Sequence, residues 1–359
     1  MPKQVLVAEG TLTLPYGVLK TLHYGSCEVR LYRNIYTQAL QVGKRVSLLG
    51  REDTLAATEA TFLREIDHDN VADIYDVAEV AGTDRTLAVI QMMMPYYEQG
   101  SVLDAMVNGR RFSSGEARDI ALRSLRGVAH LHDVHKVLHR DLKPSNLFLT
   151  SDGTVAKVGD LGEAMRMDGE AAPPLLSPQF WTPPETFIGQ LYTVQSDIYS
   201  MGMSLAEMLS GPFPYETYTM EGLSERLASG RSAVLPRHSV FQPHVPDSLR
   251  RIVRKSTRPG ANGRYDAASE MIRALTRAEF VDWQWPTTDG QTTAWDGEWG
   301  GNAYRVVARP LRGRGWRVEA ERRYASGWRR MRQCSADGSD PFATADTVFR
   351  QIDKDLIRA

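Results

Sequence analysis

Cysteine is almost missing from this chain: 359 residues contain only Cys27 and Cys334, far apart in sequence. That excludes a disulfide scaffold and a cysteine-based zinc site, and it fits a reducing compartment. Long apolar runs are missing too. No stretch approaches the roughly 18 residues that a spanning helix needs, so no membrane contact is expected. The apolar part of the opening "MPKQVLVAEGTL" is too short for a signal peptide, and a cytoplasmic protein is the expectation. Charge excess is absent: 43 Lys and Arg stand against 44 Asp and Glu, a net charge of −1, so nothing draws the whole chain to nucleic acid or membrane. The histidines lack ligand-like spacing, and His132, His135, His238 and His244 read as surface or satisfied side chains.

What is present exceeds one ordinary domain core, so two or three folded units are expected. From Gly17 to Leu49 the chain is rich in Val, Leu, Tyr and Thr with partial period-two alternation, which predicts three strands. Asp53 to Ile66 reads as a helix, and Thr86 to Met94 as a buried strand that stops at Pro95. "SSGEARDIALRSLRGVAHLHDV" predicts a helix that starts at Ser113 or Ser114, with Ala117, Ala121, Leu125, Val128 and Leu131 on one face. "SDIYSMGMSLAEMLSG" is apolar on most sides and predicts a core helix closed by Gly211. Six of the seven tryptophans lie at or beyond Trp283. Residues 281–299 read as a linker. Three strands (Tyr304 to Arg309, Trp316 to Tyr324, Trp328 to Cys334) and a final helix follow, capped by Asp340 with Pro341 at its first position.

Between two apolar runs, "VLHRDLKPSNLFL" packs His139, Arg140, Asp141, Lys143, Ser145 and Asn146 into a short loop. "HRDLKPSN" resembles the catalytic loop of eukaryotic-type (Hanks-type) serine/threonine protein kinases. "KVGDLGEA" resembles the D-F-G segment with Leu161 for Phe. "SPQFWTPPE" resembles the segment that ends in A-P-E, with Pro183 for Ala. "LQVGKRVSL" looks like the V-A-I-K strand, and "EATFLREIDHDNVADIYDV" like the helix and strand after it. The motifs stand in family order from about Gly17 to Leu275.

The resemblance implies an α+β, two-lobed kinase fold: a β-rich N-lobe over 1–94, a helical C-lobe over 95–280, and a β-sheet and helix module over 300–359. It implies ATP and magnesium, with manganese as a substitute, and a protein substrate whose Ser or Thr hydroxyl is phosphorylated. By residue-by-residue carry-over, Asp141 orients the substrate hydroxyl and Lys143 balances charge on the transferred group. Asn146 and Asp160 hold the metal, as hard oxygen ligands suit magnesium. Lys44 reaches the phosphates and pairs with Glu59. Val29 and Gly25 belong to the phosphate-covering loop. Pro95, next to the gatekeeper Met94, serves adenine through its carbonyl, and Tyr97 supplies an N–H. Asp197 resembles a buried residue that bonds the catalytic-loop backbone, and Glu185 with Arg264 a structural ion pair.

Departures accompany the match. Leu22, Tyr24 and Cys27 stand where the phosphate-covering loop has glycines, which limits the approach of backbone N–H groups to phosphate. Between Gly162 and Ser177 there is no Ser, Thr or Tyr. One of the carboxylates Asp168 and Glu170 is expected to pair with Arg140 in place of a phosphate, and Ser177 and Thr182 remain acceptors. Pro178 stands at the family's substrate-facing threonine. From Gly300 onward, 13 basic residues face 7 acidic ones. A solvated basic face is the plainer reading of the module; nucleic-acid contact or protein docking are the others. A pseudokinase scaffold or sensor acting through this module is the alternative function.

Overall fold

β-branched and aromatic residues with partial alternation build the first of two units. The computed structural model describes residues 15–24, 27–47, 65–80, 89–150, 156–167, 169, 171–173, 178–313 and 315–357. By contact the chain divides into one unit of Met1–Asp67 and Asp73–Tyr96, and another of His68–Ala72 and Tyr97–Ala359. In the first unit β1 (Tyr16–Tyr24), β2 (Cys27–Asn34), β3 (Leu40–Ser47), β4 (Asp76–Glu79) and β5 (Val89–Pro95) form an antiparallel sheet in the order β1-β2-β3-β5-β4. The three strands expected between Gly17 and Leu49 are β1 to β3. Asn34 turns the chain after β2: its side-chain oxygen accepts from the N–H groups of Tyr36 and Thr37, an Asx turn. Met92 and Met93 on β5 are fully buried. Pro95 closes β5, where a missing N–H costs least. Gly43 has a packing reason. A Cβ there would stand 2.5 Å from the Tyr32 ring, whose hydroxyl reaches across β3 to Gln91 at 2.9 Å. The helix expected over Asp53 to Ile66 lies outside the described residues except at its end.

The second unit takes His68–Ala72 from the stretch that the sequence assigns to the first lobe. Backbone bonding explains it. Val158 N–H donates to Asn70 O, Ala72 N–H donates to Val158 O, and the Asn70 amide donates to Ala156 O. Two capped helices start the unit. α1 (Val102–Val107) and α2 (Ser114–His130) each open on a capping box, Ser101 with Asp104 and Ser113 with Glu116. The predicted face of α2 is fully buried: Ala117, Ala121, Leu125, Val128 and, just beyond the helix, Leu131. Short strand pairs follow: β6 (Val137–Leu138) with β9 (Met165–Arg166), β7 (Leu147–Leu149) with β8 (Ala156–Val158), and β10 (Ala171–Ala172) with β11 (Tyr192–Thr193). After α3 (Pro184–Phe187) comes the core helix α4 (Val194–Ser210), buried over Ser196 to Leu209 and ended by Gly211 at φ +88°. α5 (Met220–Ala228), α6 (Asp247–Ser256) and α7 (Ala268–Thr276) complete this part.

The stretch 281–299 is not a linker. It holds β12 (Asp282–Trp283), β13 (Thr287–Asp289) and β14 (Thr292–Trp299). With β15 (Asn302–Pro310), β16 (Trp316–Tyr324) and β17 (Gly327–Gly338) they form one antiparallel sheet. Its glycines, which suggested a loose tether, do defined work. Gly300 and Gly301 at φ +54° and +74° make the two-residue turn between paired Trp299 and Asn302. Gly297 lies against the Trp283 ring, where no Cβ fits. Trp283, Trp295, Val306, Ala320 and Cys334 make a second core with Phe349 and Ile352 of α8 (Pro341–Ile357). Asp340 caps α8, accepting from Ala343 N–H at 2.6 Å.

The sheet module is tied to the helices before it. The Asp282 carboxylate accepts from Gly115 N–H at 2.6 Å and Ser113 Oγ at 3.0 Å at the start of α2. Trp285 donates to Phe112 O at 2.8 Å, and Arg250 pairs with Asp346 at 2.8 Å. His244 corrects the sequence reading in part. It is buried, yet its Nδ1 has no hydrogen-bond partner among the described residues, and burial pushes the imidazole down to about 3. The tight Gly297–Trp283 contact predicts that Gly297→Ala lowers stability by about 1–3 kcal/mol through overpacking. Thermal melts followed by tryptophan emission should show a drop of several degrees; an unchanged midpoint would contradict this packing.

Candidate active site

The polar loop is held between buried strands. Val137 and Leu138 in β6 and Leu147 and Leu149 in β7 are fully buried. The intervening backbone is strained: Arg140 has φ of +69°, and Lys136, just before β6, has φ of +55°, a region that non-glycine residues rarely occupy. At Arg140 the strain falls within the loop itself. The Asp197 carboxylate of α4 holds it there. It accepts from His139 N–H at 2.8 Å, Arg140 N–H at 2.9 Å and Tyr192 OH at 3.0 Å, and meets His132 Nε2 at 2.8 Å. Asp197 is wholly buried. Burial alone would raise its pKa, but the bonds and charges from His132 and His139 hold it below its ordinary value. His132 is thus a core histidine bonded through Nε2, while its Nδ1 has no hydrogen-bond partner among the described residues. His139 braces the loop from the other side: Asp141 N–H donates to its Nδ1 at 3.3 Å, which leaves Nε2 to donate to Gly159 O at 3.1 Å.

The side chains then converge. Lys143 Nζ lies 2.8 Å from Asp141 Oδ2. The Asn146 amide donates to Asp141 O at 2.8 Å and Oδ2 at 3.0 Å, which turns its Oδ1 the other way. Gly159 N–H donates to Asn146 O at 3.0 Å, linking this cluster to the segment with Asp160. Asp160 adopts φ +59°, a second strained position in the site. Gly159 permits the approach, since a Cβ there would stand 2.6 Å from the Phe148 ring. Leu161, in the place of Phe, is buried. Asn146 Oδ1 and the Asp160 carboxylate are hard oxygen donors and fit a magnesium ion, which fills its remaining positions with water and phosphate oxygens. Among the described residues no group of three or more His, Cys, Asp or Glu side chains forms a metal site. Tyr97 stacks on Phe148 at 5.2 Å, and its carbonyl accepts from Gly100 N–H.

In the first unit, Lys44 is buried on β3 with Val29 and Met92 as its cross-strand neighbours. Val29 is buried as well. Pro95 pairs with Gln41. Gly25 and Glu59 lie outside the described residues. So do Asp168, Glu170 and Ser177. The Arg140 guanidinium donates to Pro173 O at 3.1 Å, lies 3.6 Å from Met165 Sδ and sits over the Tyr192 ring.

A rigid platform follows the loop. Arg264 and Glu185 form a buried two-pronged pair at 2.6 and 2.7 Å, and Ser196 Oγ donates to the same carboxylate at 3.0 Å. Sequence reading missed two residues here. Gln179 Oε1 accepts from Lys143 Nζ at 3.1 Å; one position after Pro178, it was hidden by attention to the threonine that Pro178 replaces. Glu207, in the apolar second half of α4, was the signal for the other. It is fully buried and accepts from Trp181 Nε1 and Phe213 N–H, each at 3.1 Å, and from the Tyr215 hydroxyl. Burial pushes its pKa up to about 7.

Comparison with known proteins agrees with this geometry. Residues 23–273 match the protein kinase domain, and the chain belongs to that family. It is 28% identical over 228 residues to a probable serine/threonine-protein kinase PknB of Lactococcus lactis, a match covering 62% of this chain and 34% of the relative. It is 27% identical over 227 residues to serine/threonine-protein kinase PrkC of Bacillus subtilis, covering 62% and 33%. A third relative, serine/threonine-protein kinase Nek1 of Toxoplasma gondii, is 28% identical over 291 residues, covering 74% and 18%. The match spans about a third of the length of the first two relatives.

Asp197→Asn should cost roughly 2–4 kcal/mol, because one buried acceptor now serves four donors. Denaturant melts check this, and a loss under 1 kcal/mol would show that Asp197 does not hold the loop. Glu207 gives a pH signature. Its folded pKa is raised from 4.5 to about 7, so the folded state binds the extra proton and stability falls as pH rises through that window. The drop is about 3 kcal/mol at most. Glu207→Gln should flatten the stability–pH curve between those values; an unaltered slope would remove Glu207 as its source.

Proposed function

We propose that this chain transfers the γ-phosphoryl group of ATP to Ser or Thr hydroxyls of a protein substrate. One observation carries the reading: Asp141, Lys143 and Asn146 converge on a strained loop that a buried carboxylate holds in place. Phosphoryl transfer needs positioning and charge compensation more than covalent chemistry, and this loop is built for both. Asp141 orients the acceptor hydroxyl and takes its proton. Lys143, steered by Asp141 and Gln179, balances charge on the transferred group. Lys44 contacts the α and β phosphates, and Glu59 fixes Lys44. Pro95 and Tyr97 present a backbone carbonyl and an N–H to adenine, and Gly25 and Val29 cover the phosphates. Asn146 and Asp160 hold magnesium or manganese, which neutralises phosphate charge when bound. The division into lobes at 94 and 95 belongs to the same reading, with the C-terminal sheet module taken from β12 at Asp282 onward.

Signalling in the cytoplasm is the setting we assign. Sparse cysteine supports it, and so does Cys334, buried against Asp355 with its thiol pushed up to about 12 by burial. Among the described residues no helix is long and apolar enough to cross a membrane. We read the C-terminal module as a protein-docking element rather than a nucleic-acid surface. Arg305, Arg309, Arg317 and Arg330 are paired with Asp296, Glu319, Asp337 and again Glu319, so the basic residues do not form one continuous uncompensated stripe of the kind that follows a nucleic-acid backbone.

Transfer from labelled ATP to a basic protein substrate tests the function. Asp141→Ala should reduce it by a factor of about a hundred or more. Gln179→Ala should lower kcat several-fold with little change in KM, and Gln179→Asn should recover part of it. Wild-type protein without transfer or nucleotide-dependent stabilisation would instead support the scaffold reading.

A further inference from the structure

On the β16–β17 hairpin Arg322 and Arg329 are direct cross-strand partners. Like charges placed opposite one another in a sheet repel, and nothing acidic relieves them: among the described residues neither forms an ion pair with a carboxylate. Each guanidinium instead lies over the Tyr324 ring, at 5.4 and 5.2 Å from its centroid, and Arg322 also lies 5.9 Å from the Tyr304 ring. Stacking fixes a guanidinium's plane while leaving its N–H fork available. Few of those donors are used. Arg322 Nη2 donates to Asn302 Oδ1 at 2.8 Å, and Arg329 Nη2 donates to Ser326 Oγ at 3.1 Å. Arg322 Nε is buried without a partner among the described residues. Arg323, on the other face of the same hairpin, lies over Trp328 at 5.4 Å and adds a third cation with no ion pair among the described residues. Arg305, Arg309, Arg317 and Arg330 of this sheet each have a carboxylate partner; Arg322 and Arg329 have none among the described residues.

We propose that Arg322 and Arg329 form a docking site for a phosphorylated segment of a partner protein. Two preorganised forks match a phosphate monoester, which carries a charge of about −1.5 to −2 at neutral pH. A side-chain carboxylate or a nucleic-acid diester offers one negative charge for the two cations. Tyr304 is buried in the sheet core and Tyr324 is flanked by both guanidinium groups, which leaves less ring surface for stacking of bases. The choice of a phosphoprotein over other phosphate monoesters rests on the kinase reading. The site then retains a segment that a kinase has already modified, so that neighbouring hydroxyls are presented again.

The test is fluorescence polarisation with a labelled phosphoserine peptide, using the full chain carrying Asp141→Ala so that binding is read without turnover. The unphosphorylated peptide, its glutamate version, a single-stranded RNA and free inorganic phosphate as competitor are compared. The phosphopeptide should bind at least tenfold more tightly than the other two peptides and the RNA. The double variant Arg322→Gln/Arg329→Gln should lose at least tenfold, Arg322→Lys/Arg329→Lys should recover only part, and Arg309→Gln should bind as the parent does. A thermal melt establishes that the double variant is folded. If it does not fold, competition by inorganic phosphate on the parent decides: loss of peptide binding supports the site, and undiminished binding overturns it. Equal affinity for phosphorylated and plain peptide, or preference for RNA, also overturns it. Because turnover is not read, phosphopeptide binding by a chain without kinase activity would sink the proposed function and leave this site standing.

Discussion

The carboxylate of Asp197 is the fixed point of the second unit. Four donors from three segments meet on it: the loop backbone at His139 and Arg140, the Tyr192 hydroxyl and His132. That charge is the main offset to the strain of the left-handed backbone at Arg140, whose N–H it accepts. With it, Asp141, Lys143 and Asn146 are aimed from a short, stiff segment. A buried carboxylate is costly unless fully bonded, and here the bonding is complete enough to keep it ionised.

Two further buried acids extend the same principle. Glu185 is neutralised by Arg264, and the Ser196 hydroxyl of the core helix α4 donates to the same carboxylate, which fastens α3 to that helix. Glu207 has donors but no cation among the described residues, and burial lifts it toward neutrality. Both reach the segment containing Trp181 and Glu185, one through charge and the other through hydrogen bonds. The position of Gln179 against Lys143 follows from the placement of that segment.

The C-terminal sheet is physically continuous with the helices before it. Asp282 caps α2 and Trp285 bonds the residue chain leading into it, so the module stabilises the second unit as well as presenting its own surface. Its glycines mislead a reader of composition. Gly297, Gly300 and Gly301 mark a close ring contact and a tight turn, whereas linker glycines mark freedom.

The family, the catalytic loop and most helices and strands were legible in the sequence. Short-range rules produce them: alternation for β2 and β3, capping residues for α2 and α8, and a dense polar run between apolar strands. Long-range approach was not legible. Nothing local in "SPQFWTPPE" says that Gln179 meets Lys143, or in "WDGEWGG" that Gly297 receives a tryptophan. Nor does the count of 13 basic residues against 7 say which arginines are neutralised. The sequence by itself determined the loop that carries Asp141 and the order of its motifs, because those depend on neighbours along the chain. Only the tertiary structure decided which charges meet, which stay unpaired and which glycines are compelled, because Coulomb attraction and excluded volume act between residues far apart in sequence.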